Sequence, residues 1–394
     1  MSIQEEALKL HEQWKGKIEV KSKAPVNSVY DLSTAYTPGV AEPCRAIHKD
    51  KTQVYRYTAK SNLVAVVTDG TAVLGLGDIG PEAGLPVMEG KAVLFKEFAG
   101  VDAFPICVAS KEVEDIVRTV KLIEPVFGGV NLEDISSPRC AEIERRLKAE
   151  LSIPVFHDDQ HGTAVVVTAA LINALKLAGK EWGQIRVALS GAGAAGSAII
   201  KMLQTMGVKD IIACSSKGIL NRSESYSNWV HQEIADTTNE ALRKGGLAEA
   251  MEGADVFIGV SAAGIVSKEM VASMAEKPIV MAMANPDPEI LPALAKEAGA
   301  EIVGTGRSDY PNQINNVLAF PGIFRGALDA RASDINEAMK RAAAEAIAGL
   351  VSPEELCPEY IIVPPLDKRV GKAVAEAVYR AAVESGVARQ ELLP

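Results

Sequence analysis

The sequence is poor in aromatic residues and in cysteine, and it has no excess of positive charge. Phe, Trp and Tyr make up 5% of its 394 residues, so Ala, Val, Ile and Leu must supply most of the core. The five cysteines form no CxxC pair and are odd in number, which argues against a disulfide scaffold and a structural zinc site. The net charge of −10 disfavours nucleic-acid partners, because an acidic chain repels phosphate backbones.

Long hydrophobic runs are also missing. The longest apolar run, 163–177, is interrupted by Thr168, Asn173 and Lys176, and it is too short and too polar to predict a membrane span. The first 17 residues mix Glu, Lys and Gln, unlike a signal peptide. We therefore expect a cytoplasmic, soluble protein of two or three domains, with neither a membrane nor a nucleic acid as partner.

The first 160 residues predict a mixture of helices and short strands. The spacing of apolar residues predicts four helices, 4–15, 86–98, 111–123 and 138–149. Two short apolar runs predict buried strands, 126–132 and 153–156. Asp69-Gly70 separates the apolar runs 63–68 and 71–75, a pattern that favours a β-hairpin.

Beyond about residue 180, strands and helices alternate regularly, which predicts a parallel sheet covered on both faces. The predicted elements are strand 185–190, helix 194–206 and strands 211–215, 255–259, 279–284 and 301–303. The Ala-rich tail predicts two more helices, 333–350, with Ser333 as its N-cap, and 369–385. We place the domain boundary at residue 160, which gives domains 1–160 and 161–394.

A glycine-rich turn joins the first strand and helix of the second domain. Gly191, Gly193 and Gly196 fit the GxGxxG pattern, with Ala194 and Ala195 before the last glycine. In this pattern the first glycine permits a tight turn, the second lets a pyrophosphate approach the backbone, and the third lets helix and strand pack closely. The helix N-terminus then offers free N–H groups to phosphate, which predicts a Rossmann-type dinucleotide-binding domain. A turn used for packing alone is the alternative.

The end of the second strand in this domain predicts which dinucleotide binds. NAD-binding strands typically end in an acidic residue that bonds the ribose. Here the strand ends at Ser215, and Ser216 and Lys217 follow. The two serine hydroxyls and the lysine ammonium group could bind the 2′-phosphate of NADP, which a carboxylate at this position would repel. We therefore favour NADP over NAD. If Ser215 merely caps a turn, either cofactor is expected to bind.

Two acidic pairs follow short strands in the first domain, Glu133-Asp134 and Asp158-Asp159. In open α/β sheets ligands gather outside the carboxyl ends of strands, and carboxylate oxygens suit Mg²⁺ or Mn²⁺. Taken alone, such a pair is equally consistent with a helix cap or a solvated turn.

Lys91 and Tyr36 are candidates for proton transfer. Lys91 lies on a predicted apolar helix, where burial would lower its pKa and make it a usable base. Tyr36 lies in a loop of irregular pattern. A solvated surface lysine and a packing tyrosine are the ordinary alternatives.

Several motifs together resemble those of malic enzymes. They are YTPGVA at 36–41, TDGTAVLGLGDIG at 68–80, EGK at 89–91, NLEDI at 131–135, FHDDQHGTA at 156–164, NP at 285–286, NNV at 315–317 and FPG at 320–322. They occur in order along nearly the whole chain, and the HDDQHGTA and TAVLGLGDIG stretches are highly specific. The length resembles the small bacterial form of the family.

The resemblance implies oxidative decarboxylation of (S)-malate to pyruvate and CO2, with NAD(P) and a divalent metal. By position it implies metal ligands at Glu133, Asp134 and Asp159, an acid beside them at Asp158, the general base at Lys91, the general acid at Tyr36, and contacts to the substrate carboxylate at Asn285 and Asn316. Asn285 is also expected beside the cofactor. The resemblance further implies a homodimer or a larger homo-oligomer, with malate as the small-molecule partner.

Two departures from the family pattern matter. Larger malic enzymes carry an arginine that contacts malate where this chain has Ala72, so the substrate carboxylate must be bound otherwise. Many members have Asp where this chain has Ser215, which supports the NADP prediction. Two alternatives to the main function stay open: a malolactic enzyme, which retains its NAD and releases lactate, and a catalytically inactive cofactor-sensing protein. The matched carboxylates, Lys91 and Tyr36 argue against the second.

Overall fold

The computed structural model describes residues 2–73 and 75–389. The α-helices formed by these residues are α1 Ile3–Trp14, α2 Val29–Ala35, α3 Ala41–Lys49, α4 Val54–Tyr57, α5 Pro81–Ala99, α6 Val113–Ile123, α7 Arg139–Glu150, α8 Thr163–Ala178, α9 Ala194–Thr205, α10 Trp229–Thr237, α11 Leu247–Met251, α12 Lys268–Ala272, α13 Pro292–Glu297, α14 Phe320–Asp329, α15 Glu337–Ala348 and α16 Arg369–Glu384. The strands are β1 Leu63–Thr68, β2 Asp102–Cys107, β3 Gly129–Leu132, β4 Val155–His157, β5 Arg186–Ser190, β6 Asp210–Ser215, β7 Gly218–Ile219, β8 Val256–Gly259, β9 Ile279–Ala282 and β10 Ile302–Thr305.

The N-terminal part contains a four-stranded parallel sheet of order β2-β1-β3-β4. Successive side chains of β1 point to opposite faces of the sheet. Val64 and Val66 therefore pack in one apolar cluster, and Ala65 and Val67 pack in another on the opposite face. Both faces of this strand are therefore covered, as expected for a parallel sheet.

The predicted hairpin at Asp69-Gly70 is wrong. Strand β1 pairs in parallel with β2 and β3, so both of its edges are already occupied. The following residues fold back in a loop instead, in which Ile79 and Gly80 donate backbone hydrogen bonds to the carbonyl of Gly70. Gly70 has φ +70, and a side chain there would meet the Gly80 carbonyl oxygen at 2.2 Å. Leu74, in the predicted second strand, lies outside the described residues.

The second sheet has the order β10-β9-β8-β5-β6-β7 and is parallel except for β7, so the predicted parallel sheet is confirmed. Both tail helices are present as α15 and α16. The N-cap prediction for the first of them is wrong. Asn336 caps α15 by accepting from the Met339 N–H, whereas the Ser333 hydroxyl donates to the Val387 carbonyl.

A cluster of edge-to-face aromatic rings joins the N-terminal sheet to the C-terminal helices. Phe95 on α5 lies 4.8 Å from Phe320 and 5.2 Å from Phe324, and Phe324 lies 5.8 Å from Phe156 on β4. All four rings are buried. Since Lys91 lies one turn before Phe95 on the same helix, this packing fixes its position. The domain boundary at residue 160 stays a prediction.

One helical stretch, Asp158–Ala178, is long and apolar enough to cross a membrane by length and composition alone. Of its most apolar window, 72% is buried inside the fold, as is usual for the core helix of a globular protein. Helix α8, which makes up most of it, packs its alanine and valine side chains into the largest apolar cluster.

Candidate active site

Adjacent parallel strands bring the two acidic pairs together. Leu132 at the end of β3 is in register with His157 at the end of β4, so the next residues of both strands emerge at one edge of the sheet. Glu133, Asp134 and Asp159 each offer a carboxylate oxygen, and these oxygens lie within 4.8 Å of one another. The sequence alone did not establish that these three carboxylates converge. The register of β3 and β4 brings them together.

These carboxylates are shielded from solvent and lie close to other charged groups. Burial raises the pKa of Glu133 to about 7, although Lys91 opposes this, and Asp159 raises it further. Burial also raises the pKa of Asp134 to about 8, with Asp159 and Glu133 adding to the effect. Ionising all three groups together therefore requires a compensating positive charge.

The arrangement fits a divalent cation. Hard oxygen donors are the ligands that Mg²⁺ and Mn²⁺ prefer, and the cluster supplies three of them. Asp134 Oδ2 is buried without a hydrogen-bond partner among the described residues. Asp134 also has φ +53, and hydrogen bonds hold it there, since its N–H donates to Asp159 Oδ2 at 2.8 Å and its carbonyl accepts from Ala72.

Lys91 lies between two of the acidic groups. Its Nζ is 2.9 Å from Glu133 Oε1 and 2.7 Å from Asp158 Oδ2, and it lies 4.4 Å from the centre of the Phe320 ring. The expectation that burial makes Lys91 a base of low pKa is wrong for the protein without a bound cation. Burial does favour a lower pKa, but Asp158 and Glu133 outweigh it and hold the pKa of Lys91 above its usual value.

Asp158 is fully buried beside Lys91 in a π-helical turn, Asp158–Gly162, that leads into α8. Its Oδ2 accepts from both Lys91 Nζ and Asn316 Nδ2. Gly162 is required here, because a side chain at that position would meet Asp158 Oδ1 at 1.9 Å. π-Helical turns of this kind are frequent at functional sites.

One cavity of about 1140 Å³ connects the carboxylate cluster to the second sheet. Lys91, Asp134, Asp159 and Asn316 line it on one side. The glycine-rich turn and the ends of β8 and β9 line the other side with Ala194, Ala195, Val260, Ser261, Met283, Ala284 and Asn285. Asn285 and Asn316, both expected at the substrate, therefore line the same space as Lys91.

The three glycines of the turn differ in their surroundings. Gly191 has φ +110, and a side chain there would meet the Val260 carbonyl oxygen at 2.5 Å. A side chain at Gly196 would meet the Gly191 carbonyl oxygen at 1.8 Å, so this glycine allows helix and strand to pack closely. Gly193 is the N-cap of α9, and a Cβ placed on it would have no atom of the described residues within 4 Å, which leaves space among them beside the helix N-terminus.

We predict that Gly193→Val weakens dinucleotide binding without weakening the fold. The valine fills the free space through which a pyrophosphate approaches the helix N-terminus, so Kd for the dinucleotide should rise roughly tenfold or more, equivalent to about 1.4 kcal/mol. Binding is measured by fluorescence titration and stability by thermal unfolding. Gly183→Val is the control, since Gly183 has only a distant neighbour at 3.9 Å and lies outside the turn. Equal affinities for the two variants would contradict the assignment.

The predicted recognition residues after β6 form a tight turn. The Ser215 hydroxyl accepts from the Lys217 N–H at 3.2 Å and donates to the Gly218 carbonyl at 3.4 Å. Among the described residues, Ser215, Ser216 and Lys217 lie outside the lining of the cavity. Ser215 thus makes hydrogen bonds within its own turn, and its role in cofactor choice stays a prediction.

Tyr36 is not brought to the cavity within the described part of this chain. Its side chain is 67% exposed, and it follows α2 at the surface. Helices α1 to α4 bury no residue, and Val29, Tyr30 and Leu32 on α2 are exposed as well. Helix α2 thus presents these three apolar side chains to solvent.

Two buried carboxylates that support the site were not found from the sequence. Glu289 is fully buried and accepts from the backbone N–H groups of Ser261 and Ala284, so it fixes two loops that line the cavity. Glu144 accepts from His161 Nε2 at 2.8 Å, and although burial raises the pKa of Glu144, its interactions with His161 and Lys148 lower it to about 2. Neither glutamate lies in a motif, and no sequence signal distinguishes them.

Comparison with known families decides which chemistry this geometry serves. The family model described as the malic enzyme N-terminal domain matches residues 15–148, and that described as the malic enzyme NAD binding domain matches residues 160–383. The chain belongs to the malic enzyme family. Together the two matches cover most of the chain, and of the residues that line the cavity only His11 on α1 and Asp159, among those described, lie outside the matched ranges.

Individual members of the malic enzyme family are similar to this chain over nearly all of its length. The bifunctional malic/malolactic enzyme of Bacillus subtilis is 64% identical over 390 residues, 99% of this chain and 95% of that protein. The NAD-dependent malic enzyme of Geobacillus stearothermophilus is 59% identical over 379 residues, 96% of this chain and 79% of that protein. The crystal structure of the NAD-dependent malic enzyme from Thermotoga maritima matches with a TM-score of 0.92 at 52% identity, covering 95% of this chain and 98% of that one. The expected fold of an α/β domain followed by a Rossmann-type domain is confirmed.

Proposed function

We propose that this protein catalyses the metal-dependent oxidative decarboxylation of (S)-malate to pyruvate and CO2, with reduction of NAD(P). One observation carries the proposal: a single cavity is lined by Lys91, by the carboxylates of Asp134 and Asp159, and by the start of helix α9 after the glycine-rich turn. A hydride acceptor, a divalent cation and a proton acceptor can therefore meet at one substrate.

The side chains have distinct roles in this proposal. Lys91 accepts the proton of the C2 hydroxyl group as the hydride leaves C2, while Asn285 and Asn316 bind a substrate carboxylate. Glu133, Asp134 and Asp159 would hold a divalent ion, which when bound would supply Lewis-acid polarisation of the substrate and would offset the carboxylates that raise the pKa of Lys91. Asp158 orients Lys91 through their 2.7 Å contact. After CO2 is lost from C4, protonation at C3 yields pyruvate.

For the proton donor to C3 we propose Tyr36, acting in the cavity of a second copy of the chain. A general acid must reach the substrate, whereas Tyr36 is exposed and outside the cavity lining among the described residues of its own chain. Val29, Tyr30 and Leu32 form an exposed apolar face beside it, which a second copy would cover in a homodimer.

Mixing two inactive variants tests this arrangement. Tyr36→Phe and Lys91→Ala dimers are each expected to be inactive. If Tyr36 acts across the interface, subunit exchange creates mixed dimers with one intact site each, and activity should return to about a quarter of the wild-type value. A mixture that stays inactive, although exchange is verified by native mass spectrometry, would place both residues in one subunit.

We propose that both NAD and NADP serve as cofactors. The NADP preference expected from Ser215 is not confirmed, since the Geobacillus and Thermotoga relatives are named NAD-dependent. The Ser215 hydroxyl is engaged by its own turn, and no carboxylate follows β6 to repel a 2′-phosphate. Turnover with each cofactor at equal concentration measures the preference.

Malolactic conversion is a second candidate, because the Bacillus subtilis relative is named a bifunctional malic/malolactic enzyme. Product analysis separates the two reactions. The main proposal predicts one pyruvate and one reduced nicotinamide for each malate consumed, whereas malolactic turnover yields lactate without net cofactor reduction. Lactate as the main product would overturn the main proposal.

A cytoplasmic location is likewise proposed. All five cysteines are free in the structure, as is usual for proteins of a reducing compartment.

A further inference from the structure

Two lysines and one histidine line the cavity, and of the two lysines only Lys17 lacks an acidic partner among the described residues. Lys91 is held by Glu133 and Asp158. His11 uses Nδ1 to bond the carbonyl of Ala7. Lys17 lines the cavity with no carboxylate oxygen within 4 Å of its Nζ in the part of the chain that the structure describes.

The chain holds Lys17 against helix α5. Its backbone N–H donates to Glu89 Oε2 at 3.0 Å, and its Nζ donates to the carbonyl of Pro86 at 2.5 Å. The preceding residue, Gly16, has φ +105, and a side chain there would lie 3.2 Å from Glu89 Oε1. The turn before Lys17 is thus shaped to fit this helix.

The ammonium group of Lys17 lies above the segment of α5 that carries Lys91. A Cβ placed on Gly90, the residue directly before Lys91, would lie 3.7 Å from Lys17 Nζ. Gly90 itself lines the cavity, so the absence of a side chain keeps the space beside the ammonium group open. Burial lowers the pKa of Lys17 while Glu89 raises it, which indicates a partly desolvated cation.

Malate, the substrate in the proposed function, has two carboxylates. The cavity that would receive it is itself lined by the acidic residues Asp134 and Asp159, which repel a carboxylate. A carboxylate that the divalent ion does not neutralise needs a positive partner there. Ala72 lines the cavity and offers no charge. We infer that Lys17 binds the malate carboxylate remote from the metal-binding cluster, and thereby makes the site select dicarboxylic over monocarboxylic 2-hydroxy acids. This inference rests on the proposed function.

The test compares Lys17→Gln with Lys17→Arg and with the control Lys21→Gln, which removes an exposed lysine of the same segment. Measured quantities are kcat and KM for malate, the inhibition constants of the dicarboxylate tartronate and the monocarboxylate lactate, and Kd for the dinucleotide. In Lys17→Gln, KM for malate and the tartronate inhibition constant should rise roughly ten- to hundredfold, the loss expected for a hydrogen bond between charged groups. The lactate inhibition constant and the dinucleotide Kd should not change, and Lys17→Arg should recover most of the affinity.

Three outcomes would overturn the inference. The first is a change in KM for malate of less than about threefold in Lys17→Gln. The second is an equal loss of tartronate and lactate binding, which indicates a structural role. The third is a similar loss in Lys21→Gln, which indicates a general charge effect. Wild-type protein is assayed first, so that absence of malate oxidation refutes the proposed function rather than the role of Lys17.

Discussion

Asp159→Asn should remove both divalent-metal binding and malate oxidation. Asparagine keeps the oxygen that accepts the Asp134 N–H, so the loop geometry should survive while one metal ligand loses its charge. Lewis-acid stabilisation of developing charge is worth several kcal/mol, so turnover should fall by at least about a thousandfold. Mn²⁺ affinity, measured by the electron paramagnetic resonance signal of the free ion, should fall with it.

The same variant has a second signature in its stability. Without metal, Asp159 adds to the electrostatic cost of ionising Glu133 and Asp134, so its neutralisation should leave the metal-free protein as stable as the wild type or more stable. Mn²⁺ at about one hundred times its Kd should stabilise the wild type by about 2.7 kcal/mol and the variant hardly at all. Asp236→Asn, at a carboxylate on α10, is the control. An Asp159→Asn protein that keeps both its Mn²⁺ response and its activity would refute the metal site.

Lys91→Ala should abolish malate oxidation while leaving dinucleotide binding intact. The lysine contacts Glu133 and Asp158 and lies on α5, away from the glycine-rich turn. General acid–base catalysis contributes about 10² to 10⁴ in rate, and kcat should fall by at least that factor. Steady-state kinetics and dinucleotide titration measure the two quantities on the same preparation.

Lys91→Arg separates the basic function of this residue from its charge. Arginine preserves a cation between Glu133 and Asp158 but stays protonated, so it cannot accept the C2 hydroxyl proton. We expect this variant to bind Mn²⁺ and dinucleotide like the wild type and to remain inactive. Substantial turnover in Lys91→Arg would mean that Lys91 acts by charge alone and that another group is the base.

The sequence predicted the site best for the residues that directly follow strands β3 and β4. The residues that follow adjacent parallel strands emerge at the same edge of the sheet. Glu133, Asp134 and Asp159 therefore converge, as the motifs indicated. The same logic failed at Asp69-Gly70, where a typical hairpin signal lies in a loop. Pairing of β1 with two other strands depends on residues far along the chain, and local pattern carries no information about it.

Charge environment was harder to predict than position. The sequence left both burial and solvent exposure open for Lys91. Its two acidic neighbours follow strands that lie far along the chain, and they reverse the direction of the pKa shift expected from burial. Lys17 and Glu289 were missed for a related reason. A lysine after an N-terminal helix and a glutamate in a proline-rich loop look like surface residues in the sequence. The fold places Lys17 at the cavity and buries Glu289 against two loops that line it.

The most direct measurement follows the near-ultraviolet absorbance of reduced nicotinamide in purified protein with (S)-malate and dinucleotide, with Mn²⁺ and again with a chelator. We expect a steady rise with Mn²⁺ and with either NAD or NADP, pyruvate forming in equal amount, and no rise once the metal is removed. A rise of equal rate in the presence of the chelator would contradict the carboxylate metal site, and no rise under any condition would contradict the proposed reaction.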